Sequence, residues 1–328
     1  MADDYESMLL AALASTIPAP GGADVPSLGD GSGMGGQSAP PGPPPVGALL
    51  AAARASRPPV PEVPAFAASF RAAAGMLDAV LAGVDPARLT RPSPVLDWSL
   101  GDLVTHLAAG YAQLTCALGA PTELPVAAEA DLESATRAVL AWTAAERTLP
   151  ERRALWWDAV TTLAAALRAP SAFPDRVLQV AGHTMPVAGH VVTRAFETWI
   201  HARDIALGTG MRLPDPAGEV IGPMADLAAR TLAGLAARSP TRGQAGTVAL
   251  ALTGPGGGSW LVRLGAPAPS GGIEAAGDGV DAELTVDTVA FCLLVSDRIA
   301  RPDLDVVVDG DVALAEDLLA LAPALSGP

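Results

Sequence analysis

The chain has 328 residues, half of them apolar, and a formal charge of −15. All 20 basic side chains are Arg, and Lys and Asn are absent. This excludes Walker-type phosphate lysines, Schiff-base lysines and kinase-type strand lysines, and the negative charge argues against a grip on nucleic-acid phosphates or anionic lipid. The length suits about two domains of ~100–200 residues. An excess of Ala, Gly, Pro and Arg over Lys and Asn suggests a GC-rich genome. Cys116 and Cys292 lie far apart in sequence, so neither a disulfide framework nor a Cys-x-x-Cys site is expected. The acidic start Met1–Glu6, the short apolar run Met8–Ala14 and the lack of ~18 uninterrupted apolar residues predict a cytoplasmic protein with no membrane span.

Residues 1–64 hold 12 Pro and 9 Gly, a content that marks low-complexity sequence. They are expected to form a disordered tail, with Ala/Leu-rich islands at Met8–Ser15 and Gly47–Ser56 that read as transient or docked helices. From Pro64 the apolar residues fall at helical spacing. Helices are predicted over roughly 65–83, 99–118, 127–147, 150–169 and 186–207, joined by short connections. Ser99 with Asp102 three residues on has the form of an N-terminal cap, and Pro186 suits a first helical turn. Such helices favour an antiparallel four-helix bundle over 65–212, with the fifth as an addition.

After Gly210 the pattern changes. A helix near 216–237 precedes β-rich runs at Thr247–Thr253 and Ser259–Leu264, which bracket a Gly-rich turn at Gly254–Gly258. Without a following helix or a phosphate-binding Lys, that segment is a turn rather than a nucleotide loop. Further strands are expected at Ala282–Asp287 and Leu304–Val308, and helices near 287–299 and 311–321. Residues 213–328 therefore read as a small α+β domain.

The chemistry concentrates on few residues. His201 lies four residues after Glu197, so both side chains share one helix face, together with Thr193, Arg194 and Asp204. Taken alone, that stripe is an ordinary solvated ion network. His106 sits mid-helix among apolar residues, where a hydrogen-bonded core imidazole is the ordinary reading. Packed opposite Glu197 and His201, however, it would complete an inward His/Glu/His set, the donor set of an open zinc site. Asp102 or Asp204 could then orient an imidazole through its other N–H.

The stretch from Pro92 through Trp98, Asp102 and His106 to Leu107 resembles the first metal-ligand helix of the mycothiol-dependent maleylpyruvate isomerase family, whose members carry DinB-like helical bundles. Met185–Ile205, with Arg194, Glu197, His201 and Asp204, resembles the second ligand segment. Trp260–Arg263 and Arg298–Leu318 resemble the sterol-carrier-protein-like α+β domain that follows the bundle in many members. The resemblance covers about residues 65–325 and makes His106, Glu197 and His201 the expected zinc ligands.

It further implies an enzyme with Zn2+ and mycothiol as cofactors, and the GC-rich composition fits an actinobacterial source, where mycothiol is the thiol the resemblance implies. A thiol at the open zinc position would add as thiolate to the cis double bond of maleylpyruvate, and rotation followed by thiol expulsion would give fumarylpyruvate. Arg residues would hold the substrate carboxylates. Arg194 is one candidate, with Glu197 or Asp204 as its alternative partners, and Arg298, from the second domain, is the other. His190 is an acid/base, an extra ligand or a surface residue, the last being the plainest. The scaffold also suits thiol S-transfer. The competing expectation is a non-catalytic zinc-binding module whose tail, residues 1–64, recruits a protein partner.

Overall fold

In the computed structural model, residues 59–143, 148–237, 239, 245–265 and 279–326 are described. The tail up to residue 58, with both islands, lies outside them. Residues Val60–Pro328 form one packed unit.

A short 3₁₀ turn at Ala65–Ala67 leads into α1 (Ala68–Gly83). By length and composition alone the segment Ala65–Gly83 could cross a membrane. Here it is a core helix: Phe70, Ala73, Ala74, Leu77 and Leu81 are buried, and α1 packs on α5 (Val187–Thr209). A second 3₁₀ turn, Pro86–Thr90, precedes α2 (Leu100–Ala117). Ser99 and Asp102 form a reciprocal capping box at its start, as the sequence predicts. Helix α2 is buried over most of its length because α3 (Leu132–Trp142), α4 (Leu149–Leu167) and α5 all pack against it.

Helix α3 starts later than the expected residue 127. The Asp131 side chain accepts the Ser134 N–H and fixes the first turn at Leu132. The Ala127 and Ala130 carbonyls instead accept bonds from the Gln113 side chain. Residues 144–147, the end of the predicted helix, lie outside the described set.

The segment before α5 holds a hairpin that the sequence reading did not contain: β1 (Val177–Val180) pairs antiparallel with β2 (His183–Pro186). Its two-residue turn places Ala181 and Gly182 at φ 51° and 79°, the primed geometry that matches strand twist. Pro186 ends β2 and is the residue before the first turn of α5, one position earlier than expected. Gly210, at φ 79°, closes that helix in the left-handed conformation.

Helix α6 (Gly218–Ala236) packs on α1 and α5 on one side and on strand β4 on the other. It therefore joins the helical part to a four-stranded sheet with the order β4-β3-β5-β6. The strands are β3 (Gly246–Thr253), β4 (Gly258–Leu264), β5 (Ala282–Asp287) and β6 (Val306–Gly310). Only the β3–β5 pair is parallel. Alternate residues Val248, Leu250 and Leu252, Trp260, Val262 and Leu264, and Ala282, Leu284 and Val286 are buried. This is the period-2 pattern of a sheet with one covered face. Helix α8 (Val312–Leu321) packs on β3 and β5, while α7 (Thr288–Val295) packs against α6.

Helix α7 is shorter than the expected 287–299. Asp297 takes φ 56°, and the N–H groups of Asp297 and Arg298 bond back to the Leu294 and Leu293 carbonyls. This left-handed helix end turns the chain and sets the direction of Arg298.

Candidate functional site: a buried histidine pair on facing helices

Helix α5 carries His190, Arg194, Glu197, His201 and Asp204 at alternating spacings of four and three, so all five lie along one face. That face is not solvated. His190, Arg194, His201 and Asp204 are each at most 7% exposed, and the Glu197 side chain is 23% exposed. His190 is thus a buried residue rather than a surface one, because β1 covers it and its Nε2 donates to the Leu178 carbonyl at 3.1 Å.

Helix α2 brings His106 against this face. The His106 and His201 rings stand edge to face, with centroids 5.1 Å apart at 83°. Trp98, just before the α2 cap, packs on the other side of His106 at 5.1 Å. Each imidazole is anchored through Nδ1: His106 meets Thr136 Oγ1 of α3 at 3.0 Å, and His201 meets Asp204 Oδ2 at 3.1 Å. These anchors leave the two Nε2 atoms for another partner. Burial, the neighbouring His201 and the Arg194 charge hold the His106 pKa well below its usual value, so His106 is neutral at neutral pH.

Asp204 is the orienting carboxylate; Asp102 instead serves the α2 cap and bonds Arg152 at 2.9 Å. Burial raises the Asp204 pKa, but the bonds from His201 and Arg298 outweigh it and hold the carboxyl below its ordinary value. Arg298 arrives from beyond α7 and donates Nε and Nη2 to the two Asp204 oxygens at 3.0 and 2.9 Å, with Nη1 on the Ser296 carbonyl. It therefore acts on His201 through Asp204.

Arg194 pairs with Glu197, Nη2 to Oε1, at 2.6 Å. Arg194 Nη1 and Glu197 Oε2 are both buried without a hydrogen-bond partner. Beside them the Tyr111 hydroxyl bonds Thr198 Oγ1, and burial pushes the Tyr111 pKa up to about 12.

The structure thus brings His106 and His201 together and places Glu197 one helical turn from His201, facing Arg194. Among the described residues no group of three His, Cys, Asp or Glu side chains is arranged to hold a metal ion. The chemistry of the donors nevertheless suits zinc: two imidazoles anchored at Nδ1, one of them with its basicity lowered by burial, and a carboxylate with a buried unpartnered oxygen. Thr136 is the functional neighbour that the sequence reading missed. It lies 30 residues from His106 on a separate helix, with no motif to mark it.

The fold and this face define a helical part with paired histidines, packed in one unit with a four-stranded sheet and the short helix after which Arg298 follows. Residues 70–206 match the family described as the mycothiol maleylpyruvate isomerase N-terminal domain. Two solved structures are similar to it: a mycothiol-dependent maleylpyruvate isomerase and a mutant of it. They are 20% and 19% identical, with a TM-score of 0.48 each, covering 75% of this chain and 93% of theirs. No curated protein matches the chain.

Proposed function

We propose that the chain is a zinc- and thiol-dependent enzyme of the maleylpyruvate isomerase type, with mycothiol as the thiol. It would act on a small cis-unsaturated carboxylic acid or carry out the related thiol S-transfer. The observation that carries this reading is the buried imidazole pair, anchored at Nδ1 by Thr136 and Asp204 and set beside a carboxylate with an unpartnered oxygen.

His106 and His201 would hold zinc through Nε2, and Glu197 would be the third ligand after turning from Arg194. Bound there, the ion would supply a Lewis-acid position that favours the thiolate form of a thiol. The protein's own groups prepare the place. Trp98 and the apolar flanks of α2 and α5 exclude water, which strengthens every charge interaction within. Low basicity keeps the His106 lone pair free of a proton. Asp204, itself held by Arg298, keeps the His201 proton on Nδ1 and so directs Nε2 outward. We read the helical part as a DinB-like bundle in which helices α2 and α5 supply these ligands.

Metal analysis after dialysis tests the site. The wild-type protein should retain one zinc per chain, while His106→Ala and His201→Ala should each lose it. Unchanged zinc in both variants would refute the ligand set. A mycothiol-dependent turnover assay with maleylpyruvate tests the activity, and bound zinc without turnover on any electrophile would favour a non-catalytic module.

A further inference from the structure

Arg194 and Glu197 make an incomplete pair. Arginine and carboxylate commonly share two parallel bonds. These two share a single contact at 2.6 Å, leaving Arg194 Nη1 and Glu197 Oε2 buried and unpaired. Arg194 is only 7% exposed. Its guanidinium lies over Gly110 of α2, where a Cβ would collide with Nη1, so the glycine makes the seat.

We propose that Arg194 is a receptor for a small external carboxylate, with Glu197 as its built-in occupant, and that Glu197 leaves this seat when it turns to the two imidazoles. The event that moves Glu197 rests on the metal-site reading above; the receptor itself does not. The seat already holds a carboxylate, so another can make the same contact with Nη2 without rebuilding the site. Once Glu197 leaves, a guanidinium more than nine-tenths buried has neither counter-ion nor hydrogen bond, and a buried cation in that state demands an anion. No other described carboxylate bonds to Arg194, and Asp204 is committed to Arg298 and His201. Gly110, beneath the Arg194 guanidinium, lies one helical turn after His106 on α2, so a carboxylate bound to Arg194 would sit near the histidine pair. The ligand class is a compact mono- or dicarboxylate whose remaining atoms extend toward those imidazoles. Metal and carboxylate would then reinforce each other's binding by the same factor in both directions.

Calorimetric titration of the full-length protein with maleate tests this. In chelator, Glu197→Ala should bind maleate at least tenfold tighter than wild type, and the Arg194→Gln/Glu197→Ala double variant should lose that gain. Equal affinity in wild type and Glu197→Ala, or undiminished binding in the double variant, would overturn the receptor. If Glu197→Ala does not fold, Glu197→Gln, which keeps the volume and removes the charge, carries the same comparison. With zinc present, maleate should raise the zinc affinity of the wild type, and Arg194→Gln should abolish that coupling; unchanged coupling would place the anion on the metal alone and overturn the proposal. Failure of zinc to bind the wild type would refute the zinc reading, and the titration in chelator would still decide the receptor.

Discussion

Arg298 and Asp204, 94 residues apart, meet in a two-bond ion pair at 3.0 and 2.9 Å, and Asp204 also accepts the His201 Nδ1–H. The side chains are 12% and 3% exposed. One guanidinium from beyond α7 thus holds the carboxylate that orients a histidine of α5.

Breaking this pair should be costly, because it leaves a buried carboxylate without its cation. Arg298→Met should lower unfolding stability by about 3 kcal/mol, read from urea denaturation in chelator. The double variant with Asp204→Asn should lose clearly less than the two single losses added together, since the groups act as one unit. Additive losses would mean that the contact is not energetically coupled.

His190 sets a pH dependence. Burial lowers its pKa below about 6.5; Arg194 on its own helix and His183 on β2 lower it further, and the bond to the Leu178 carbonyl offsets only part of this. Below about pH 6.5 the unfolded chain binds a proton here that the folded chain refuses. Stability should therefore fall as the pH drops through that range, by at most about 1.4 kcal/mol per pH unit from this group. His190→Gln, which keeps an N–H donor for Leu178, should flatten the profile between pH 6.5 and 5. An identical slope in both proteins would remove His190 as a cause.

The Gly-rich turn predicted between β3 and β4 proves to be a packing joint. A Cβ at Gly256 would lie 2.7 Å from Gly222 N and 2.9 Å from Gly218 O of α6, and its φ is +75°. Gly119 shares the backbone conformation at φ +85° but has nothing within 4 Å. Gly119→Ala should cost about 1 kcal/mol from backbone strain alone. Gly256→Ala should cost about 3 kcal/mol, because it also forces α6 from the turn. Thermal unfolding of the two variants separates these terms, and equal losses would contradict the joint.

Much of this molecule could be read from local pattern. The Ser99–Asp102 cap, the alternation in β3, β4 and β5, and the common face of Glu197 and His201 follow from fixed helix and strand periods. The β1–β2 hairpin was not legible, because its strands are four residues long and its turn uses Ala181 in a conformation that the residue type does not announce. The start of α3 was misplaced because the long-range bonds from Gln113 hold residues 127–130 out of the helix.

The sequence by itself determined which residue types share the α5 face and that His106 lies within a second helix, because helical spacing is a property of the chain alone. Only the tertiary structure decided that Arg194 takes Glu197, that Thr136 anchors His106, that His190 is buried beneath β1, and that Arg298 holds Asp204. Those choices depend on how helices pack and which rotamers the packing leaves open, and no spacing along the chain encodes either.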